Sequence, residues 1–216
     1  MSFLSRTISL ILFILLSPIF IITSIFCIIF QGNPVIFKQK RIGYNYKIFN
    51  IYKFRSMKKC TGPIITFAND ERVTIFGKIL RKTKIDEIPQ LVNVIKGDMR
   101  FIGPRPEVLE YFDKARFSFL KKVKPGMSDF ASILFRNEEE ILKKINGDDP
   151  YHEILLFKLL LADYYSNNKS FYLDLKLVLI TLLAIFFPGL AAKSFVIPTI
   201  LKDVPESKFF IEKYLL

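Results

Sequence analysis

The residues best suited to chemistry lie between Arg81 and Arg105. An acidic pair, Asp86-Glu87, has Arg81 upstream, and Arg105 stands downstream between Pro104 and Pro106. Carboxylates can serve as nucleophiles or as ligands of a hard cation, and arginines neutralise phosphate oxygens. Ile88, Leu91, Val92 and Ile95 recur at helical spacing, with Gly97 as a stop, which predicts a short amphipathic helix with Pro89 in its first turn. Asp86 and Glu87 then stand at or just before the helix N-terminus, where backbone amides and the dipole favour negative charge, so a carboxylate there stays ionised. Taken alone, such a pair is more commonly a cap and a first-turn acid than a catalytic dyad. Other chemistries have less material. His152 is the only histidine, so a serine-histidine pair or a histidine-bound metal would have to run through it. Cys27, in an apolar run, and Cys60, beside basic residues, offer neither a disulfide framework nor a zinc spacing, and fit a reducing compartment. Asp98 reads as turn chemistry.

The elements around this cluster begin with an apolar segment. No charged residue occurs between Arg6 and Lys38, and Ile8 to Phe30 is almost wholly apolar, enough for the ~20 residues of helix that cross a bilayer. The segment is too long for a signal peptide and lacks a small-x-small pattern before Gln31, so it should stay attached. Ser17-Pro18 divides it, and a proline there removes a backbone donor and predicts a kink or a break. A kinked spanning helix and a re-entrant one both fit. Arg6 before the segment and Lys38, Lys40 and Arg41 after it prefer the same, cytoplasmic side. Val35 to Phe54, rich in β-branched and aromatic residues with a turn signal at Gly43-Tyr44-Asn45, predicts a hairpin. Its basic residues, Lys38, Lys40, Arg41, Lys47, Lys53 and Arg55, form a solvated face or lie against anionic headgroups. Helices are expected from Val108 to about Val123 and from Ile154 to Tyr165, with a turn at Lys124-Pro125-Gly126. Leu177 to Phe187 is apolar but too short to cross, and reads as an interfacial helix ending at Pro188-Gly189. Beyond Lys193 no pattern stands out. With no repeat or linker, the chain divides into an anchor (1–33), a single domain (34–195) and a tail (196–216).

Composition bounds the partners. The 216 residues are 51% hydrophobic, with 32 basic against 20 acidic residues, a formal charge of +12. That charge favours anionic partners, namely phospholipid headgroups, nucleotides or nucleic acid. A basic peripheral membrane protein or scaffold without catalysis is the alternative to an enzyme. The 23 phenylalanines and 9 tyrosines could stack bases, but the phenylalanines cluster in apolar runs that read as core or membrane contact, so nucleic acid is not an expected partner.

Three motifs together are more specific than any one alone. Arg81-Lys82-Thr83-Lys84-Ile85-Asp86-Glu87-Ile88-Pro89-Gln90, Asn93-Val94-Ile95-Lys96-Gly97-Asp98-Met99 and Gly103-Pro104-Arg105-Pro106 resemble the signature of bacterial sugar transferases. These are the monotopic phosphoglycosyl transferases that begin capsule, O-antigen and glycoprotein glycan synthesis. Pro34-Val35-Ile36-Phe37-Lys38-Gln39, Ile51-Tyr52-Lys53-Phe54-Arg55-Ser56-Met57 and Lys124-Pro125-Gly126-Met127 extend the resemblance from the anchor to Pro188. It implies an α-rich α+β fold on the cytoplasmic face of the bacterial inner membrane, with surface amphipathic helices and a re-entrant anchor broken at Ser17-Pro18.

The resemblance also implies a reaction. Asp86 attacks the sugar-bearing phosphate of a UDP-sugar, expels UMP and leaves a phosphosugar-aspartyl intermediate, which undecaprenyl phosphate then attacks. Arg81 and Arg105 would bind phosphate oxygens and Lys53 would lie near the lipid or nucleotide phosphate, with Arg55 and Pro104 as further substrate-binding candidates. Glu87 would assist Asp86 with Mg2+. Asp174 is a further metal candidate, although a helix cap or salt-bridge partner is its simpler reading. A homodimer and downstream glycosyltransferases are further candidate partners. The sequence departs from the family pattern at Lys84-Ile85, where a small hydroxyl residue and leucine are common, and at Arg100, where serine is frequent. It departs again at Met127-Ser128-Asp129-Phe130-Ala131-Ser132 and Phe135-Arg136-Asn137-Glu138, a region expected to bear on the choice of sugar.

Overall fold

The computed structural model describes residues 2–58, 62, 65–67, 70–145 and 149–216; Cys60 lies outside them. The apolar N-terminal segment forms two helices, α1 (Ser2–Leu15) and α2 (Ser17–Gln31), bent by 60° at their junction. Pro18 has no N–H to give the Ile14 carbonyl four residues back, and the Ser17 hydroxyl donates to that carbonyl instead, at 2.7 Å. Ordinary helical bonding brackets the break, from Leu16 N to Leu12 O at 2.8 Å and from Phe20 N to Leu16 O at 2.9 Å. Among the described residues no single helix is long and apolar enough to cross a membrane.

The predicted hairpin forms from β1 (Ile36–Ile42) and β2 (Ile48–Phe54), antiparallel, in a register running from Ile36 opposite Phe54 to Ile42 opposite Ile48. Its turn falls at the Gly43-Tyr44-Asn45 signal, with Asn45 and Tyr46 left-handed at φ 55° and 63°. Phe54 packs with Cys27 of α2 and Leu80, so the anchor and the hairpin share a small core.

Helix α3 (Ile75–Thr83) starts at Thr74, whose hydroxyl accepts the Gly77 amide at 2.8 Å. It ends at Lys84, left-handed at φ 60°. This cap turns the chain within one residue into a tight 3₁₀ turn, Ile85–Gln90, which leads into α4 (Leu91–Lys96). The helical path therefore begins earlier than the apolar spacing predicted. Asp86 and Glu87 lie inside the tight turn instead of preceding a helix at Ile88, and the α-helical part starts only at Leu91. Gly97 closes α4 at φ 84°, its amide donating to Asn93 O and Val94 O at 3.0 and 2.9 Å. A side chain there would run into the guanidinium of Arg6 from α1. On the same side Ser9, fully buried, donates to Leu91 O at 3.0 Å.

Strands β3 (Arg100–Ile102) and β4 (Gly126–Ser128) pair in parallel, a contact without a periodic signal in segments of three residues. The helix expected from Val108 to Val123 is instead two 3₁₀ turns, Leu109–Tyr111 and Ser118–Lys121. Asp113 interrupts it, because its carboxylate accepts the Ala115 amide at 2.8 Å and so competes with helical bonding. Phe117, Phe119, Leu120 and Val123 are all buried, a set too broad for one helix face.

The main core is helical. It comprises α5 (Phe130–Leu134), α6 (Glu138–Leu142), α7 (Pro150–Asn168) and α8 (Phe171–Phe186), followed by α9 (Pro188–Ala191), a π turn (Ala192–Val196), α10 (Ile197–Asp203) and α11 (Lys208–Tyr214). Helix α7 contains the helix predicted over residues 154–165 and extends it at both ends, with Asp149 as cap and Pro150 in its first turn. Helix α8 ends where Pro188-Gly189 predicts, but begins at Phe171 behind a Ser170 cap. It leaves Leu175, Leu179, Leu182 and Phe186 exposed along one stripe. The last residues, patternless in sequence, bury Ile200, Ile211 and Tyr214 in this core. The whole is α-rich α+β, as expected.

Gly97→Ala is expected to destabilise the fold by about 2 kcal/mol, since it adds left-handed strain and displaces Arg6. Thermal melts should show the loss, and limited proteolysis should show α1 released before the rest of the chain.

Candidate active site

Three segments converge on one carboxylate. Glu87 Oε1 accepts from Lys53 Nζ of β2 at 3.3 Å and from Arg105 of the Gly103–Pro106 loop at 2.9 Å. Burial pushes Glu87 upward, but the charges of Arg105 and Lys53 outweigh it and hold the group well below the usual carboxylate range. The proximity of Glu87 in turn raises Arg105. Lys53 is lowered to about 8, chiefly by burial, with Arg105 adding repulsion and Glu87 opposing both.

Asp86, next along the turn, is only 6% exposed. Burial raises its pKa, opposed first by Lys53 and reinforced by Glu87. The helix terminus expected beside this group is replaced by a tight turn, so its surroundings, not its charge, are what the structure corrects. The tight turn desolvates Asp86, and nearby cations supply the opposing stabilisation. Its Oδ1 and both polar atoms of the Gln90 amide are buried with no hydrogen-bond partner among the described residues. A buried oxygen of this kind is costly unless it has work to do.

Each participant is fixed by backbone. Asn93, fully buried in α4, donates to Asn50 O at 2.7 Å and accepts the Tyr52 amide at 3.1 Å, which sets the turn against β2 one residue from Lys53. In the proline loop, Pro104 O accepts the Gly126 amide at 3.0 Å, Asp129 accepts the Arg105 amide at 3.0 Å, and Pro106 O accepts from Arg41 at 3.0 Å. Asp129 also takes the Ser132 amide and hydroxyl at 2.7 and 2.6 Å. Behind the loop, Glu107 accepts from Tyr151 at 2.8 Å and approaches Arg41 and Lys158 at 3.7 and 3.9 Å.

Of the candidates named from sequence, Asp86, Glu87, Lys53 and Arg105 stand together, with Pro104 holding the loop. Arg81 borders them. Its charge lowers Asp86, while its guanidinium donates to Ser56 at 2.9 Å and to Glu139 at 2.8 Å. Arg55 is directed elsewhere, to the carbonyls of Gln31, Gly32 and Asn33, where it caps α2. Asp174 accepts from Tyr165 at 2.6 Å and makes no ion pair with the cluster among the described residues. Asn93 and Asp129 escaped sequence reasoning as positioning groups. Asp129 directly before the apolar run Phe130–Leu134 carried a capping signal, whereas Asn93 carried none beyond its place in the motif.

As donors for a hard cation, the turn offers two adjacent carboxylates, one with an unpartnered oxygen. That suits Mg2+, which completes its shell with water and ligand oxygens. Among the described residues no third carboxylate, histidine or cysteine joins them. Glu87→Gln should cost about 3 kcal/mol, because it leaves two partly buried cations facing a neutral amide. Chemical denaturation checks this, and a loss under about 1 kcal/mol would mean that the pairs are screened by solvent.

The chain matches the family described as bacterial sugar transferase over residues 2–188. It is 38% identical over 153 residues to the uncharacterized sugar transferase EpsL of Bacillus subtilis, a match covering 69% of each chain. It is 34% identical over 183 residues to galactosyl transferase CpsE of Streptococcus agalactiae, covering 76% of this chain and 37% of that one. It is 35% identical over 179 residues to a UDP-N-acetylgalactosamine-undecaprenyl-phosphate N-acetylgalactosaminephosphotransferase of Aeromonas hydrophila, covering 78% of this chain and 39% of that one. The chain thus spans well under half the length of the last two. With the dyad, the cationic clamp and the proline loop all inside the matched segment, the chain belongs to the bacterial sugar transferase family.

Proposed function

We propose that this protein transfers a sugar 1-phosphate from a UDP-sugar to undecaprenyl phosphate at the cytoplasmic face of the bacterial inner membrane. The observation that carries the reading is Asp86 Oδ1, buried and unpartnered, beside a Glu87 held by Lys53 and Arg105. The relatives support the substrate classes, since one is named for UDP-N-acetylgalactosamine and undecaprenyl phosphate and another, from Klebsiella pneumoniae, for UDP-glucose and undecaprenyl phosphate.

In the proposed mechanism an Asp86 oxygen attacks the phosphorus that bears the sugar. The diphosphate P–O bond breaks, UMP leaves with that bond's electrons, and a phosphosugar-aspartyl ester remains. A phosphate oxygen of the lipid acceptor then attacks the same phosphorus, which frees the Asp86 carboxylate and forms the polyprenyl-diphosphate-sugar. A carboxylate is a weak nucleophile toward an anionic phosphate, so the crowded charge must be neutralised. Arg105 and Lys53 are positioned to do this, with Glu87 keeping both charged and oriented. Arg81 adds a third cation at the edge of the turn. Asp86 and Glu87 would hold Mg2+, which would contribute further neutralisation of the diphosphate. The two-step route asks for one acidic group that alternates between free and esterified, and the desolvated Asp86 suits that role better than the clamped Glu87.

Two features support a re-entrant anchor. Helices of 14 and 15 residues are about 21–23 Å long at 1.5 Å per residue, short of the ~30 Å hydrocarbon core. Both limbs are also bound to the same domain, α1 through Arg6 and Ser9, and α2 through Cys27 and the Arg55 cap. A straight spanning helix could not keep both sets of contacts. Leu10, Ile11, Ile14 and Leu15 on α1, with Ile21, Ile22, Ile25 and Ile29 on α2, remain exposed for lipid.

Incubation with donor alone should give a covalent phosphosugar adduct on the wild type and none on Asp86→Asn, read by intact mass. Donor alone should release no more than one UMP per protein, sustained release should require the lipid acceptor as well, and that sustained rate should fall at least about 10³-fold in the variant. UDP as product, or an adduct retained without Asp86, would overturn the mechanism. Replacing Ser17 and Pro18 together with leucine should straighten the anchor and expose the N-terminus to label from outside the cell. An unchanged labelling pattern would refute the re-entrant reading.

A further inference from the structure

A second concave site shares none of the Lys53, Asp86, Glu87 or Arg105 side chains, although its Arg136 is near enough for the Glu87 charge to act on it. It has a volume of 260 Å³ and is formed where α5 and α6 meet α9, the π turn and the C-terminal helix. Its floor is apolar, made by Ile133, Leu134, Ile141 and Ile197. Its lining also includes three cations, Arg136, Lys144 and Lys193, against one acid, Glu140. Glu140 is engaged by Lys143 at 3.2 Å, whereas Lys144 and Lys193 make no ion pair among the described residues. Arg136 is fixed by the carbonyls of Lys82 and Ile185, at 3.2 and 3.4 Å. Lys193 rides on the π turn, a rare backbone form found disproportionately at functional sites. At the end of α8 beside the site, Phe186, Phe187 and Leu190 are 57–76% exposed.

Cations that lack partners, an apolar floor and neighbouring bare aromatic residues match one class of ligand, an anionic headgroup with its acyl chains. We propose that this site binds the headgroup of an anionic membrane phospholipid and so docks the end of α8 at the bilayer surface. The inference rests on the membrane-bound reading above. The polyprenyl acceptor fits less well as occupant. The wall is completed by Ile197, Tyr214 and Leu215, beyond the residue 2–188 span shared with the family, so the reaction the named relatives share does not require it. Neither Asp86 nor Glu87 lines the cavity.

The test uses the full chain, extracted from nanodiscs of phosphatidylcholine mixed with phosphatidylglycerol and examined by native mass spectrometry. The wild type should retain one phosphatidylglycerol in preference to phosphatidylcholine. The double variant Lys144→Gln/Lys193→Gln should lower that retention about tenfold or more. Lys202→Gln/Lys208→Gln removes equal charge from exposed positions outside the cavity and should leave retention unchanged. Covalent labelling by donor, measured on the same samples, should be equal in all three proteins, so loss of labelling in the wild type would count against the catalytic reading alone. The proposal is overturned if no phosphatidylglycerol is retained, if both double variants lose it equally, or if undecaprenyl phosphate displaces it at stoichiometric amounts.

Discussion

One carboxylate oxygen organises the candidate active site. Glu87 Oε1 takes a hydrogen bond from Lys53 and another from Arg105, so a strand, a tight turn and a proline loop, all distant in sequence, meet at a single atom. Partly buried charges are costly to assemble, and here a negative group between two positive ones leaves the clamp itself with net positive charge, as the proposed phosphate site would need. The neighbour, Asp86, shares the burial but not the clamp. Adjacent acids in one turn thus acquire opposite characters, one locked in its ionised form and one desolvated with a free oxygen.

That oxygen would be useless without a rigid frame. The frame is mostly backbone, the carbonyls and amides of the proline loop being tied to β1, β4 and the Asp129 cap. Asn93 performs the same service for the turn, since it satisfies a donor and an acceptor of β2 at once. Proline on both sides of Arg105 limits the loop's own conformations, so few hydrogen bonds suffice to fix it. In the proposed reaction, prepositioned cations would need little reorganisation as charge shifts among the phosphate oxygens.

Much of this was legible in the chain. The hairpin, its turn, the stop at Gly97 and the break at Ser17-Pro18 each followed from a local rule, and local rules survived folding. The residues that meet at the dyad were named through motif resemblance, because the convergence of Lys53, Glu87 and Arg105 is tertiary and leaves no periodic trace. Errors arose where a neighbour in space overrode a neighbour in sequence. Asp113 turned back on its own backbone and broke the expected helix after Val108. Arg55 looks like a phosphate ligand because residues two apart on a regular strand share a face, which would set it beside Lys53, yet β2 ends at Phe54, and Arg55, past the strand, meets the end of α2. Burial of Asp86 could not be read from a pattern that places it at a helix start, because desolvation depends on what covers the turn. The C-terminal residues had no period to read, their short helices being ordered by the core that they complete.

The elbow at Ser17-Pro18 has a consequence for geometry at the bilayer. Because each limb of the anchor is bonded directly to the folded domain, no slack tether separates the proposed lipid-embedded wedge from the reaction centre. The protein would therefore ride at a fixed draught, with Asp86 held at a constant height above the acyl chains. A two-dimensional search by the acceptor would then deliver its phosphate to the right level without any vertical excursion by either partner.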